Sequence, residues 1–378
     1  MKNIVIAGYA RSPFHFARKG ALAKVRPDDI AAQVVRALIE RSGIDPADIE
    51  DVIVGCAFPE GEQGFNVARI IEFIADVPIT AGATTVNRFC GSSMQAIHMA
   101  AGAIQLDAGD LFVCAGVESM TRVPMGGYNP APNPALNERY PEVYIDMGTT
   151  AENLASAYDI SRSEQQDMAV KSHAKATAAR GAGKFEDELV PIVEANLRVD
   201  EDGCVRPDTS QDVLDGLVPA FEANGTVTAG TSSPLTDGAA AVLVCSEAYA
   251  DAHGLDKLAR LKSIGVAGCR PEIMGIGPVG ATAKALDRAG LTIDDIDIIE
   301  LNEAFAAQAL AVVKKSKMNL DKMNLDGGAI ALGHPLGATG ARITGKAAAL
   351  LRREGKQYAL ATQCIGGGQG IATILEAV

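Results

Sequence analysis

The chain has 378 residues, a length that suggests two or three folding units. Its 34 Lys and Arg residues against 47 Asp and Glu residues give a net charge of −13, which argues against a general nucleic-acid binder because phosphate neutralisation needs a basic surface. Hydrophobic residues make up 48% of the chain and charged residues 21%, a composition that argues against intrinsic disorder.

The sequence contains no signal for a membrane span, a targeting leader or a metal site. Apolar runs fall short of the roughly 18 residues that cross a bilayer, and the first segment, MKNIVIAGYARSPF, is typical of a strand and a turn. The seven Cys residues are an odd number without any CxxC pair, so neither a disulfide framework nor a zinc site is predicted. We therefore expect a cytoplasmic enzyme with reduced thiols and no metal.

Runs rich in Val and Ile alternate with helix-period segments, which predicts an α/β fold. The sequence also repeats itself: ALIERSGIDPADIEDVIVG and ALDRAGLTIDDIDIIELN both indicate a helix end, a Gly C-cap (Gly43, Gly290), an acidic turn and a buried strand. Two further pairs follow in the same order, TTVNRFCGSSMQAIHMAAGAI with MNLDGGAIALGHPLGATGARITGKAAALL, and LFVCAGVES with YALATQCIGGG. These pairs predict a duplicated α/β half.

The region from about Glu118 to Asp237 differs in composition from the repeated segments. It carries a Pro- and Asn-rich stretch and a polar helix pattern. We interpret it as a long insertion between the last helix and the last strand of the first half, and that half resumes at GAAAVLVCSE. The predicted units are an N-terminal half (1–117 plus 238–256), an inserted loop domain (118–237) and a C-terminal half (257–378).

Cys90 is the first candidate for chemistry. A strand predicted over Thr84 to Phe89 gives way at Cys90 to a helix with a possible Ser cap. A thiol at a helix N-terminus meets the positive end of the helix dipole and free N–H groups, which lower the thiol pKa and can bind an oxyanion. The alternative is a buried structural cysteine.

His334 lies in the glycine-rich segment GGAIALGHPLGATGAR, just before a predicted helix. The glycines allow the backbone to approach a ligand closely, and Pro335 restricts the turn that follows the imidazole. A neutral histidine is the usual base for converting a thiol into a thiolate. The alternative is a turn histidine without a chemical task.

Two more candidates follow predicted strands. Cys364 opens CIGGGQG, where a thiol could act as an acid, a base or a nucleophile, whereas a phosphate-binding turn is disfavoured because the dinucleotide fingerprint does not fit. Asn302 and Glu303 come in ELNEAFAAQ, where a strand becomes a helix. Asn302 is either a helix N-cap or an amide that positions a water or a carbonyl oxygen.

These residues lie in seven sequence blocks that together resemble the thiolase family, in the family's order: NRFCGSSMQA, GVESMTRVPM, MGTTAEN, GTVTAGTSSPLTDGAAA, NEAFA, GGAIALGHPLGATGAR and CIGGGQGIA. The resemblance extends over nearly the whole chain. It implies a duplicated thiolase-type fold, with two similar βαβαβ halves in a five-layered α-β-α-β-α core and a loop domain inserted in the first half. That expectation agrees with the internal repeats.

The resemblance also implies a role for each candidate. Cys90 would be the nucleophile that carries the acyl group as a thioester. His334 would deprotonate Cys90 and, with a water held by Asn302, stabilise the thioester oxygen of the second acyl-CoA. Cys364 would move the proton at the substrate α-carbon, and the backbone N–H groups of Cys90 and Gly366 would form the other oxyanion hole.

Coenzyme A would be a substrate of such an enzyme, and no cofactor is implied. Because a net charge of −13 does not favour the approach of a polyanionic CoA, local Arg and Lys residues of the insertion would have to capture it. The positions that match the family's CoA-binding motif are Met147, Arg206, Phe221, Ser233, Met274 and Phe305.

Within the family, NRFCGSSMQA and GVESMTRVPM resemble the degradative enzymes. The predicted reaction is ping-pong thiolysis of medium or longer 3-ketoacyl-CoA by CoA, giving acetyl-CoA and a shortened acyl-CoA. The short, Pro-rich segment between Met125 and Met147 favours a homodimer over a tetramer.

Three alternatives stay open at this point. The same residues could condense two acetyl-CoA into acetoacetyl-CoA. A decarboxylating ketosynthase of the same superfamily is disfavoured by Cys364, because those enzymes use His or Asn there. A non-catalytic binder of CoA or lipid would be expected to lack a reactive residue, yet Cys90, His334, Asn302 and Cys364 are all present.

Overall fold

The computed structural model describes residues 2–378. These residues form the strands β1 (Ile4–Arg11), β2 (His15–Phe16), β3 (Asp51–Gly55), β4 (Gly82–Val86), β5 (Leu111–Ser119), β6 (Ile192–Glu194), β7 (Leu197–Val199), β8 (Thr236–Ser246), β9 (Ala259–Gly268), β10 (Ile298–Leu301), β11 (Tyr358–Ile365) and β12 (Gln369–Glu376).

The same residues form the helices α1 (Pro27–Ser42), α2 (Val67–Ile74), α3 (Ser92–Gln105), α4 (Pro134–Arg139), α5 (Met147–Ala157), α6 (Arg162–Gly181), α7 (Gln211–Asp215), α8 (Glu247–His253), α9 (Gly277–Ala289), α10 (Ala306–Ser316), α11 (Ala329–Leu332) and α12 (Thr339–Glu354). Between residues 2 and 378, no helix combines the length and the apolar composition that a bilayer crossing needs. The predicted Gly caps are confirmed: α1 ends at Gly43 with φ 66° and α9 ends at Gly290 with φ 68°, a left-handed conformation that favours glycine.

The main sheet repeats one pattern of strand pairing in each half. In the N-terminal half the order is β1-β8-β5-β3-β4, and in the C-terminal half it is β9-β12-β11-β10. In each half the first two pairings are antiparallel and the third is parallel. The N-terminal half adds the parallel pairing of β3 with β4, and the C-terminal half has a parallel bridge between Ile299 and Met323 at the corresponding place. The two halves meet where β1 pairs with β9 over two residues of each strand. The predicted duplication is confirmed.

The helices complete five layers around this sheet. Helix α1 packs on β1, β5 and β8 at one outer face, and α9 packs on β9, β11 and β12 at the other. Helices α3 and α12 contact each other and lie between the halves, where α3 covers β3, β5 and β8 while α12 covers β10 and β11. Buried apolar side chains fill each interface between layers, so burial of apolar surface holds the layers together.

The long inserted segment leaves the N-terminal half after β5, at Ser119, and returns at the start of β8, at Thr236. The segment thus lies between α3 and β8, with β5 paired to β3 before the chain departs. The segment contains α4 to α7 and the β6–β7 hairpin. The division of the chain into three units stays a prediction.

Candidate active site

A tight turn between β4 and α3 presents Cys90. Strand β4 ends at Val86, earlier than predicted, and α3 begins at Ser92, two residues after Cys90. Between them Phe89 adopts φ 42°. The Ser92 hydroxyl donates to the Phe89 carbonyl at 2.5 Å and accepts from the Arg88 N–H at 2.9 Å. The predicted Ser cap is wrong, since Ser92 stabilises the turn that precedes the helix instead of the helix start.

The Cys90 thiol meets backbone donors inside an apolar environment. The backbone N–H groups of Gly366 and of Cys90 itself act to lower the pKa of its thiol. The side chain packs against the buried cluster of Ala17, Ala57, Met120 and Leu336. Burial raises the pKa of the Cys90 thiol to about 11, although both N–H groups act in the opposite direction. The predicted lowering of this pKa is therefore wrong, because loss of hydration outweighs the donors at the helix start.

Cys364 lies beside Cys90 and is fully enclosed by protein. Burial raises the pKa of the Cys364 thiol well above its usual range, and Cys90 raises it further. The side chain of the preceding residue, Gln363, donates to the Cys90 carbonyl at 2.8 Å, which places this part of β11 beside Cys90. Cys364 sits within β11, paired with Gly370, rather than after the strand as predicted. The turn that follows contains Gly366, whose N–H reaches Cys90.

A chain of hydrogen bonds fixes the tautomer of His334. The Thr339 hydroxyl donates to the Pro335 carbonyl at 3.0 Å, because that carbonyl can only accept. The Thr339 oxygen therefore accepts from Nδ1–H of His334, at 2.5 Å. Nε2 of His334 then carries the lone pair, which accepts from Nδ2–H of Asn302 at 3.3 Å. The nitrogen that faces Asn302 is the one able to take up a proton.

The imidazole of His334 is neutral at physiological pH. Burial, assisted by the positive charge of Arg342, lowers the pKa of His334 to about 3. Asn302 is buried, and the helix that follows it begins only at Ala306, so the N-cap alternative is excluded. Within residues 2–378, Oδ1 of Asn302 has no hydrogen-bond partner, which leaves it free to hold a water or a substrate atom.

The two halves bring these residues together by close backbone packing of α3 on α12. A Cβ on Gly340 would lie 2.3 Å from the Met94 nitrogen, so only glycine allows this approach. The Ala341 N–H donates to the Ser93 hydroxyl at 2.8 Å. On the adjacent strands, the Asn302 N–H donates to the Thr362 carbonyl at 3.0 Å.

The resulting site assembles four chain segments. Gly366 and Cys364 lie against Cys90, and Asn302 binds His334. The turn that carries His334 contributes Leu336 to the apolar cluster on which Cys90 packs. The arrangement offers a nucleophilic thiol, a neutral base, a second thiol and backbone oxyanion donors at one place, which is what acyl transfer requires.

Glu303 has a structural task beside this site. Its carboxylate accepts from the Ser172 hydroxyl at 2.6 Å, from Nδ2 of Asn324 at 2.7 Å and from the Ile330 N–H at 3.2 Å. It therefore links the inserted segment to the glycine-rich turn before α11, where a Cβ on Gly328 would lie 2.0 Å from its carboxyl carbon.

Three of the predicted CoA-binding residues border the turn after β11. A Cβ on Gly366 would lie 3.6 Å from Sδ of Met147, at the start of α5. Phe221 packs on the same helix start, against Gly148, and its ring meets Phe305 edge to face with centroids 5.7 Å apart. An apolar wall thus extends from the oxyanion donors to α10.

The other three predicted CoA-binding residues are placed differently. The Ser233 N–H donates at 2.9 Å to the carbonyl of the residue before Phe305, and Met274 is buried in the same apolar cluster as Phe305. Arg206 instead stacks on Phe16, with its guanidinium 5.1 Å from the ring centroid. Its assignment therefore has only the support of the sequence match.

Sequence reasoning missed three residues that hold the His334 turn. Thr339 fixes the imidazole, Thr236 accepts the His334 N–H at 3.0 Å, and Glu118 accepts the Gly337 N–H at 2.9 Å. The available signal was Glu118 itself, because a carboxylate in the otherwise apolar strand LFVCAGVES must find donors inside the protein. The two threonines carry no comparable signal.

Comparison with known proteins agrees with this geometry. Residues 4–248 match the thiolase N-terminal domain and residues 255–377 match the thiolase C-terminal domain. The chain is 46% identical to the 3-ketoacyl-CoA thiolase of Bacillus subtilis (strain 168) and 49% identical to that of Shewanella denitrificans, in each case over 100% of both proteins.

Solved structures with the same fold include two enzymes with different names. Human mitochondrial 3-ketoacyl-CoA thiolase superposes with a TM-score of 0.92 at 37% identity, and the acetyl-CoA acetyltransferase of Bacillus anthracis with a TM-score of 0.92 at 39% identity. Each comparison covers 100% of this chain and 99% of the other. From its sequence, its fold and the geometry of its site, the chain belongs to the thiolase family.

Proposed function

We propose that the chain is an acyltransferase that cleaves 3-ketoacyl-CoA with CoA, giving acetyl-CoA and an acyl-CoA two carbons shorter. The observation that carries the proposal is the placement of Cys90 beside the end of β11, which contains Cys364 and leads into the Gly366 turn: Nε2 of Gln363 donates to the Cys90 carbonyl at 2.8 Å. The names of the curated relatives support thiolysis of 3-ketoacyl-CoA over other acyl transfers.

In the first half-reaction, the sulfur of Cys90 attacks the C3 carbonyl while its proton passes to Nε2 of His334. The bond between C2 and C3 breaks, which leaves the acyl group on Cys90 and an acetyl-CoA enolate. Cys364 donates a proton to the enolate carbon and releases acetyl-CoA. In the second half-reaction, the thiol of CoA gives its proton to the Cys364 thiolate and attacks the thioester. The Cys90 thiolate that leaves takes back the proton from His334, so both residues return to their starting state, which completes ping-pong chemistry.

Two groups of donors stabilise the negative charge that develops on oxygen. The N–H groups of Cys90 and Gly366 bind the oxygen of the acyl group on Cys90. His334, with a water held by Asn302, binds the enolate oxygen of the acetyl-CoA. Removal of one such donor from an enzyme typically slows turnover about 100- to 1,000-fold.

The CoA moiety is proposed to lie along the apolar wall of Met147, Phe221 and Phe305, with Ser233 and Met274 next to it. The pantetheine arm would thereby reach the Gly366 turn. Arg206 is retained as a candidate for the charged end of CoA.

The second candidate function is condensation of two acetyl-CoA, which the same residues could catalyse and which the similarity to the Bacillus anthracis acetyl-CoA acetyltransferase favours. A thiolysis assay with 3-ketoacyl-CoA of increasing chain length separates the two. We expect activity on medium or longer chains, and none in Cys90→Ala. Activity confined to acetoacetyl-CoA would favour the second function, and inactivity on every chain length would contradict both.

We also propose a homodimer formed across β4. This strand is the free edge of the N-terminal half, and the flanking Phe65 and Ile79 are 95% and 74% exposed. An unpaired strand edge with large apolar neighbours favours pairing with a second copy.

We place the reaction in fatty-acid β-oxidation, in the cytoplasm. All seven cysteines are free in the structure, which suits a reducing compartment.

A further inference from the structure

Glu118 is a buried carboxylate at the end of β5, where the two halves meet. Its side chain is 1% exposed. Oε2 accepts from the Ala57 N–H at 2.8 Å and from the Gly337 N–H at 2.9 Å, and Oε1 accepts from Nε2 of Gln63 at 2.9 Å and from the Phe58 N–H at 3.2 Å. Every one of these partners donates, so the geometry suits the ionised carboxylate.

The Gly337 contact joins Glu118 to the catalytic turn of the other half. Gly337 follows His334 by three residues and lies against the backbone of the N-terminal half: a Cβ there would be 2.5 Å from the Val117 carbonyl and 2.6 Å from the Gly55 carbonyl. In such close backbone packing an N–H without an acceptor would be costly. Glu118 supplies that acceptor and holds the turn in place.

We propose that Glu118 is a positioning residue for thiolysis: it fixes the His334 turn of the C-terminal half on the N-terminal half. The inference rests on the proposed function and adds a residue to its machinery. Because Glu118 touches neither substrate nor reacting atoms, it acts through His334.

Two variants test the position of the His334 turn. Glu118→Gln replaces one acceptor oxygen by an NH2 group, which cannot accept from the backbone N–H groups, whereas Glu118→Asp keeps both acceptor oxygens on a shorter arm. We expect kcat of thiolysis to fall about 100-fold in both, because small misplacements of a catalytic group have effects of that size. KM for 3-ketoacyl-CoA should stay within about twofold of wild type in both, because Glu118 positions a catalytic group and does not bind substrate.

The control is Glu72→Gln, which neutralises another fully buried carboxylate, one that pairs with Arg69 on α2. When the variants are compared at equal folded fraction, measured by circular dichroism, Glu72→Gln should keep the kcat and the KM of the wild type. A kcat within twofold of wild type in Glu118→Gln, or a fall in kcat matched by an equally large rise in KM, would overturn the inference. An inactive wild-type protein would instead contradict the proposed function.

Discussion

Cys90 and His334 are both uncharged in the resting protein, because burial raises the pKa of the thiol to about 11 and lowers the pKa of the imidazole to about 3. A preformed thiolate–imidazolium pair is therefore absent at neutral pH. Proton transfer from sulfur to Nε2 has to accompany attack on the substrate, when the N–H groups of Cys90 and Gly366 gain an oxyanion to bind.

The pH dependence of Cys90 alkylation checks this view. Since the reactive thiolate fraction grows as the pH approaches the raised pKa, the rate of alkylation of the Cys90 peptide by iodoacetamide should keep rising from about pH 6 to 10. An ordinary exposed thiol, titrating near its usual pKa of about 8.5, would level off within that range. A plateau anywhere within that range would contradict the raised pKa of Cys90 and with it a neutral resting pair.

Replacement of Cys364 tests the proton-transfer step. A serine hydroxyl is far too weak an acid to exchange a proton with an activated α-carbon, whereas the change is nearly isosteric. In Cys364→Ser we expect Cys90 to accept an acetyl group from acetyl-CoA, while α-proton exchange and C–C cleavage fall by orders of magnitude. Near-normal C–C chemistry, measured by thiolysis and by deuterium exchange, would reduce Cys364 to a structural thiol.

At the scale of elements, strand patterns and glycine signals predicted much of the fold and of the site. The repeated helix–Gly–strand pattern located α1, β3, α9 and β10, and the ends of apolar runs located the turns of Cys90, Asn302 and Cys364. Local sequence does not determine how deeply a turn is buried, so the direction of the Cys90 pKa shift could not be predicted from its position before α3. The contact between Glu118 and Gly337 depends on how the halves pack, which no local pattern specifies.

A buried ion network joins the inserted segment to both halves. Arg11 of β1 binds Glu188 at 2.8 Å and Asp202 at 2.7 Å, and Lys346 of α12 binds Glu188 at 2.8 Å and Asp326 at 2.7 Å. The side chains of all five are at most 7% exposed, so each charge depends on its partners for compensation.

Removal of one cation from this network should destabilise the fold. Lys346→Met removes a positive charge from the buried carboxylates of Glu188 and Asp326. We expect the free energy of unfolding to fall by about 3 kcal/mol, the size seen when a buried pair is broken. Lys262→Met is the control, because Lys262 pairs with Glu376 at 3.2 Å while 33% exposed, and should cost less than about 1 kcal/mol. Urea denaturation at equal protein concentration measures both. Equal losses in the two variants would contradict a role for the network.

At the scale of the whole molecule, the active site exists only because two similar halves face each other. The N-terminal half supplies Cys90, and the C-terminal half supplies His334, Asn302 and Cys364. Duplication predicts that each half folds in the same way, but it does not predict the different residues placed at equivalent strand ends. Those differences give one half the nucleophile and the other the acid–base groups.

The proposed dimer is tested by solution mass. Light scattering at micromolar concentration should give twice the 39.2 kDa of one chain. Phe65→Glu combined with Ile79→Lys should reduce the mass to that of one chain, because dimer formation would bury the two new charges next to β4. Val218→Glu is the control, since Val218 is 79% exposed on the inserted segment and should leave the mass unchanged. A wild-type mass near one chain would contradict the dimer.

The most direct measurement of the central claim is the location of the acyl group. Wild-type protein is mixed with acetyl-CoA, quenched in acid and digested, and the peptides are analysed by mass spectrometry. We expect the acetyl group on the peptide that contains Cys90, and no adduct in Cys90→Ala. An acetyl group on Cys364 instead, or the absence of any covalent adduct, would contradict the account.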